Sequence, residues 1–248
     1  MNGKTLSNAA LVTGASQRIG KAIALALADR GFDIALHYNK SKQEALVLAA
    51  EIKQKGGACE LFSCDLGKES AVLRLLESVH KRFPQLSLLV NNASIFEPSQ
   101  LGRDGLQALD EHWQINFRAP YVLLGEFARL CSRGHVINIL DTKVSQNKTD
   151  YVGYLLSKKC LAELTKIAAL KLAPTIRVNG ISPGIILAPS HKGQDYLTKR
   201  ARDIPLQRSG DVKFITQSVG FLLDNEFVTG QILFVDGGEH LLGSGVLS

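Results

Sequence analysis

The chain has no CxxC pair and no run of ligands at zinc spacing. Its four cysteines, Cys59, Cys64, Cys131 and Cys160, read as reduced, mostly buried thiols of a cytoplasmic protein, and no metal site is expected. No apolar run is long enough to span a bilayer, so no membrane role is expected. The N-terminus passes almost at once into an apolar strand, which leaves no sign of a secretory or transit peptide. Internal repeats, low-complexity tracts and linkers are also missing. A single domain over residues 1–248 follows. Acidic residues are in the minority: 29 Lys and Arg against 23 Asp and Glu give a net charge of +6. The basic residues come in scattered pairs, such as Lys53/Lys55 and Lys81/Arg82. That scatter argues against a nucleic-acid partner and for an anionic small molecule, such as a phosphorylated cofactor.

What is present is an alternation. Apolar runs at 9–12, 32–39, 58–66, 86–93, 135–141, 176–185 and 231–236 read as strands. Helical spacing separates them at 18–30, 42–55, 68–83, 105–131, 151–173 and 211–224. Near-continuous apolar strands between amphipathic helices predict an α/β fold with a doubly wound parallel sheet covered on both faces. Ligands in such folds sit beyond the carboxyl ends of the strands. The basic stretch 186–210 reads as irregular and as a lid over the substrate.

The first strand ends in a glycine-containing turn, Thr13-Gly14 to Arg18-x-Gly20, and a helix follows. Glycines there let the backbone approach a pyrophosphate, and first-turn N–H groups point at it. A site that selects NAD places a carboxylate about 20 residues further on, to accept from the ribose 2′-hydroxyl. None stands there. Asn39, Lys40 and Ser41 occupy the place, and with Arg18 they suit a 2′-phosphate. Asp65 closes the third strand, where its carboxylate suits an adenine amino group. Asn91-Asn92-Ala93-Ser94 closes the fourth, where small side chains leave the backbone open to a ligand.

Chemistry is expected at Tyr154 and Lys158, which share a helix face at i, i+4. An ammonium beside a phenol lowers the phenol pKa and readies it for proton transfer near neutrality. Asp141 ends the preceding strand.

Taken in order, Thr13-Gly14…Gly20, Asn91-Asn92-Ala93, Asn116, Tyr154-x-x-x-Lys158, Pro183-Gly184 and Val235-Asp236-Gly237-Gly238 resemble the short-chain dehydrogenase/reductase family over essentially the whole chain. The resemblance implies a Rossmann-type fold with a nucleotide-binding half at about 9–93 and a catalytic half at about 94–248. It implies Tyr154 as proton donor, Lys158 on the cofactor ribose and Asn116 holding a water in a proton relay. The cofactor contacts it implies are Gly14, Arg18, Ile19, Gly20, Tyr38, Asn39, Lys40, Ser41, Asp65, Leu66, Asn92, Ala93, Ser94, Tyr154, Lys158, Pro183, Gly184 and Ile185. It also implies a homotetramer.

Four departures from the family pattern stand out. Asp141 replaces the usual serine, Arg18 a glycine and Ser94 a glycine, and no threonine follows Pro183-Gly184 at the family spacing. With His37-Tyr38-Asn39-Lys40-Ser41 and Asn92-Ala93-Ser94-Ile95-Phe96, these are similar to the pteridine reductase branch. That branch implies NADPH as cofactor and a pterin held by Arg18, Ser94, Phe96, Asp141 and Tyr154, with Phe96 stacked on the pterin ring. Two other activities stay open: a carbonyl reductase of the 3-oxoacyl-acyl-carrier-protein type, and a non-catalytic NADP-sensing binding protein.

Overall fold

The computed structural model describes residues 8–147, 149–188 and 193–242. Seven strands form one parallel sheet: β1 (Ala9–Val12), β2 (Asp33–Tyr38), β3 (Cys59–Ser63), β4 (Leu86–Asn91), β5 (Gly134–Ile139), β6 (Ile176–Pro183) and β7 (Ile232–Val235). They lie in the order β3-β2-β1-β4-β5-β6-β7. The order reverses between β1 and β4, and the crevice there opens beyond their carboxyl ends. This is the predicted single-domain, doubly wound Rossmann-type α/β fold.

Among the described residues there are eight α-helices: α1 (Arg18–Asp29), α2 (Lys42–Gln54), α3 (Glu69–Arg82), α4 (Leu106–His112), α5 (Ala119–Leu130), α6 (Val152–Leu172), α7 (Gln194–Ala201) and α8 (Val212–Asp224). The two cores follow from the period of two along each strand. Ala10 and Val12 of β1 face Ile23 and Leu27 of α1, Leu48 of α2 and Val219 of α8. Ala9 and Leu11 face the other way, into a layer with Leu76 of α3 and Phe127 of α5. Each such Leu or Ile contributes about 1.5–3 kcal/mol by leaving water. Slipping a strand by one residue would therefore expose a whole face.

Two expectations need correction. The lid segment 186–210 is not all irregular: it contains α7, and Ala201 and Ile204 are buried. Residues 189–192 of it lie outside the described residues. The expected long helix at 105–131 begins with a short 3-10 turn, Arg103–Gly105, and carries a π-helical turn, Trp113–Arg118, between α4 and α5. The wider turn places Asn116 inward, fully buried.

Candidate active site

The turn after β1 is locked from three sides. Gly14 has φ +60 and its missing Cβ would lie 3.0 Å from the Ala93 Cα, so a side chain there is both strained and crowded. A Cβ on Gly20 would stand 2.3 Å from the Gly14 carbonyl oxygen. That closeness lets α1 start directly under the turn. The Asn92 side-chain amide donates to the Thr13 and Gly14 carbonyls at 2.8 and 3.1 Å, and the Thr13 hydroxyl accepts from the Asn92 and Ala93 N–H groups. The first-turn N–H groups of α1 have no acceptor inside the helix, and no side chain caps them. An uncapped helix start behind Cβ-free glycines fits a dinucleotide pyrophosphate.

His37, near the end of β2, belongs to the His37–Ser41 motif but received no role from sequence. Its Nδ1 accepts from Gly14 N at 3.0 Å, and its Nε2–H donates to the Cys64 carbonyl at 3.1 Å. Burial pushes its pKa down to about 4, so the ring stays neutral with one tautomer. Gly14 N–H is thereby taken and does not face a phosphate. The signal was an imidazole ending a buried strand, a place where an unpaired ring nitrogen is costly.

Beyond β2, Asn39 and Lys40 are exposed, and Ser41 begins α2 without spending its hydroxyl on the helix. Arg18 has φ 54, a left-handed conformation that explains why the family pattern prefers glycine there. Its guanidinium donates to the Ala188 carbonyl at 2.9 Å. Other expected contacts change character. Tyr38 and Leu66 are buried in the two apolar cores, so their side chains are packing groups. Ile19 packs partly against the first core. Asp65 turns one carboxylate oxygen back onto the Gly67 N–H.

The Asn116 side chain is wholly engaged by protein groups. Its Oδ1 accepts from Ile95 N and the Ser94 hydroxyl at 2.9 and 3.1 Å, and its Nδ2 donates to the Ile95 carbonyl and the Ser157 hydroxyl at 3.0 and 3.2 Å. All of the amide's bonding capacity is spent on protein. The side chain fastens the segment after β4 to α6. Further along, Ser99 takes the Gly153 N–H at 2.8 Å and bridges to Tyr151, while His112 accepts from Glu97 N at 3.2 Å. These ties hold residues 94–99 against the start of α6.

That start carries the chemistry. Tyr154 and Lys158 face inward one turn apart, both nearly fully buried. Asp141 ends the path from β5. Its Oδ1 accepts from Lys143 N at 2.8 Å, capping a 3-10 turn, Thr142–Ser145, and its Oδ2 accepts from the Tyr154 hydroxyl at 2.7 Å. The Lys158 ammonium donates to the Ile139 carbonyl at 2.8 Å and stands 5.9 Å from the Tyr154 ring centre.

The expected lowering of the phenol pKa is reversed. Burial first, and the Asp141 carboxylate second, hold Tyr154 well above its usual value. A carboxylate in direct contact outweighs an ammonium further off. Burial likewise pushes Lys158 down to about 8, against the support of Asp141.

Phe96 stands at this centre, 38% exposed, edge-on to Tyr154 at 4.7 Å. Its ring is stacked on Tyr151 at 4.3 Å and 7°, and the Lys143 ammonium lies 4.7 Å from its centre. One face expected to receive a ligand is thus covered by Tyr151. Ser94 gives its proton to Asn116 and keeps lone pairs for a ligand.

Pro183 ends β6. Gly184 follows, so close to Asp236 that a Cβ would stand 2.6 Å from its Cα. Asp236 is buried and accepts from Thr142, the Gly238 N–H and His240, which ties the last glycine pair to the turn beside Asp141. These hydrogen bonds hold its carboxyl below the usual value against the cost of burial. Ile185 lines a cavity of about 460 Å³ with Ile186, Phe214, Phe234 and Asp236.

The chain is similar to several known proteins. A family profile described as "Enoyl-(Acyl carrier protein) reductase", of the short-chain alcohol dehydrogenase type, covers residues 14–240. The chain is 31% identical over 244 residues to the 3-oxoacyl-[acyl-carrier-protein] reductase FabG of Staphylococcus epidermidis, covering 95% of this chain and 100% of that one. It is 32% identical over 277 residues to pteridine reductase 1 of Leishmania tarentolae, covering 94% and 96%. A crystal structure of FolM alternative dihydrofolate reductase 1 from Brucella suis in complex with NADP superposes with a TM-score of 0.90 at 33% identity, covering 97% of each chain.

Proposed function

The chain belongs to the short-chain dehydrogenase/reductase family and is an oxidoreductase; from that premise we propose that it is an NADPH-dependent pteridine reductase acting on a dihydropterin. Bound NADPH supplies the hydride. The uncapped start of α1, with Gly14 and Gly20, takes the pyrophosphate, and Arg18, Lys40 and Ser41 take the 2′-phosphate. The ammonium of Lys158 suits the ribose hydroxyls and stays charged below about pH 8.

The chain's own part in the reaction is to deliver a proton to the ring nitrogen beside the reduced carbon. Tyr154 keeps its proton through neutral pH, which suits an acid. In this arrangement the phenol donates to Asp141 at 2.7 Å. A substrate nitrogen must therefore draw the proton away from Asp141, or receive it through that carboxylate. Phe96 and Tyr151 offer a flat apolar wall beside the acid, and stacking on such a wall contributes about 1–3 kcal/mol by analogy with nucleic-acid bases.

The Asp141–Tyr154 contact carries this reading. A nascent alkoxide needs neutral or positive donors, and an anion in direct contact with the acid opposes it. A ring nitrogen that gains a proton and no negative charge is better matched. The same reading includes a cytoplasmic homotetramer, in line with four unpaired thiols and with Tyr121, Ile167 and Leu170 left exposed on α5 and α6.

The test is loss of NADPH absorbance with dihydrobiopterin, dihydrofolate and an acetoacetyl thioester side by side. Faster turnover of either pterin is expected. Faster turnover of the thioester would overturn the reading in favour of the 3-oxoacyl activity that the Staphylococcus relative is named for.

A further inference from the structure

Lys143 has no part in the proton chemistry, yet it is fixed to the centre of it. Its backbone N–H donates to Asp141 Oδ1 at 2.8 Å, so the turn that orients the carboxylate also orients the lysine. Its ammonium lies over the Phe96 ring at 4.7 Å. Among the described residues no carboxylate is in salt-bridge contact with it, and unlike Lys213, which also lies over a phenylalanine ring, it stands next to the Tyr154 centre. Asp141, the nearest acid in the chain, is already committed to Tyr154 and to the Lys143 N–H. A half-buried cation beside an exposed aromatic face, without a counter-ion, is a receptor for an anion.

We propose that Lys143 determines specificity by pairing with a carboxylate on the tail of the substrate, so that the preferred substrate is a folate-type dihydropterin with an acidic tail. The inference rests on the pteridine reductase reading. In a 6-substituted dihydropterin the tail leaves the carbon that accepts the hydride, one bond from the nitrogen that accepts the proton. With that nitrogen at the Tyr154 phenol, the tail starts at the acid and runs outward along Phe96. Phe96 stands 4.7 Å from Tyr154, and the ammonium lies 4.7 Å from the Phe96 ring centre, so the cation is within about 9 Å of the acid's ring. A p-aminobenzoyl unit spans such a reach beside the stacked Phe96–Tyr151 pair, and its glutamate brings carboxylates to the lysine. A short hydroxyalkyl tail carries no charge and leaves the ammonium unpaired.

The experiment compares dihydrofolate with dihydrobiopterin in the wild type, Lys143→Met and Lys143→Arg, each at low and high salt. Lys143→Met is expected to lower the ratio of kcat/KM for dihydrofolate over dihydrobiopterin about tenfold, equivalent to about 1.4 kcal/mol, chiefly through KM. Lys143→Arg should keep the ratio within about threefold, since the charge remains. Salt should weaken dihydrofolate use in the wild type more than in Lys143→Met. If both pterins are reduced and the ratio responds neither to Lys143→Met nor to salt, the lysine has no such part and the reductase reading stands. If the wild type reduces neither pterin, both inferences fall. Lys143→Arg keeps the charge, so a ratio that falls equally in Lys143→Met and Lys143→Arg would overturn the pairing even if one variant folds poorly.

Discussion

Replacing Asp141 with Asn keeps an oxygen for the Tyr154 hydroxyl and removes the charge. The contact is a direct one, 2.7 Å from the phenol oxygen to Oδ2. A hydrogen bond to a charged partner is worth about 1.5–3 kcal/mol and a neutral one about 0.5–1.5. The difference of about 1.4 kcal/mol is about one pH unit in the phenol pKa. Asp141 raises the Tyr154 pKa, so its loss brings that pKa down. It also raises the Lys158 pKa, so its loss takes an ammonium already at about 8 lower still. Both groups work in their protonated forms, and each shift moves the alkaline limit of activity the same way. The pH profile of kcat/KM for NADPH oxidation should therefore fall off near pH 8 in the wild type, where Lys158 loses its proton, and at lower pH in Asp141→Asn. Tyr154→Phe is the reference: turnover drops by about 10²–10⁴-fold at every pH, while NADPH binding, followed by fluorescence, is retained. An alkaline limb that stays put or moves upward in Asp141→Asn would refute the electrostatic account of this centre.

Arg18→Gly should leave stability unchanged or raise it by about 1 kcal/mol in urea unfolding, because glycine accepts φ 54 without strain; a clear loss would mean the bond to Ala188 matters more than the backbone. Combined with Lys40→Ala, it should narrow the preference for NADPH over NADH about tenfold or more, and an unchanged ratio would place the 2′-phosphate elsewhere. Asn116→Ala should cost about 2–4 kcal/mol, since it strands partners on Ser94, Ile95 and Ser157; a cost below about 1 kcal/mol would contradict its role as a fastener. His37 and His135 have pKa values pushed by burial down to about 4 and about 3. Folded-state values below the unfolded one mean stability that is intact above about pH 6.5 and lost as pH falls through 4. His37 alone should account for about 2–3 kcal/mol of that loss by about pH 4.5, so flat stability over that window would exclude it.

Periodicity determined the sheet and its two covering layers, because apolar residues at spacing two and spacing 3.6 admit few packings once the strands are all buried. Tyr154, Lys158 and Asp141 were legible for a related reason: strand ends and one helix face converge at one edge of a doubly wound sheet whatever the details. Sequence spacing does not carry hydrogen-bond partners or depth of burial. It placed an ammonium near the phenol but not the carboxylate in direct contact with it, and so gave the pKa shift the wrong sign. It marked Asn116 and Tyr38 by position, while folding spent the first on four protein contacts and buried the second. His37 and Lys143 gained their places only when β2 met the glycine turn and the turn after β5 met Phe96. Those meetings join residues from separate stretches of chain, and three-dimensional packing alone decides which groups come within a hydrogen bond of one another.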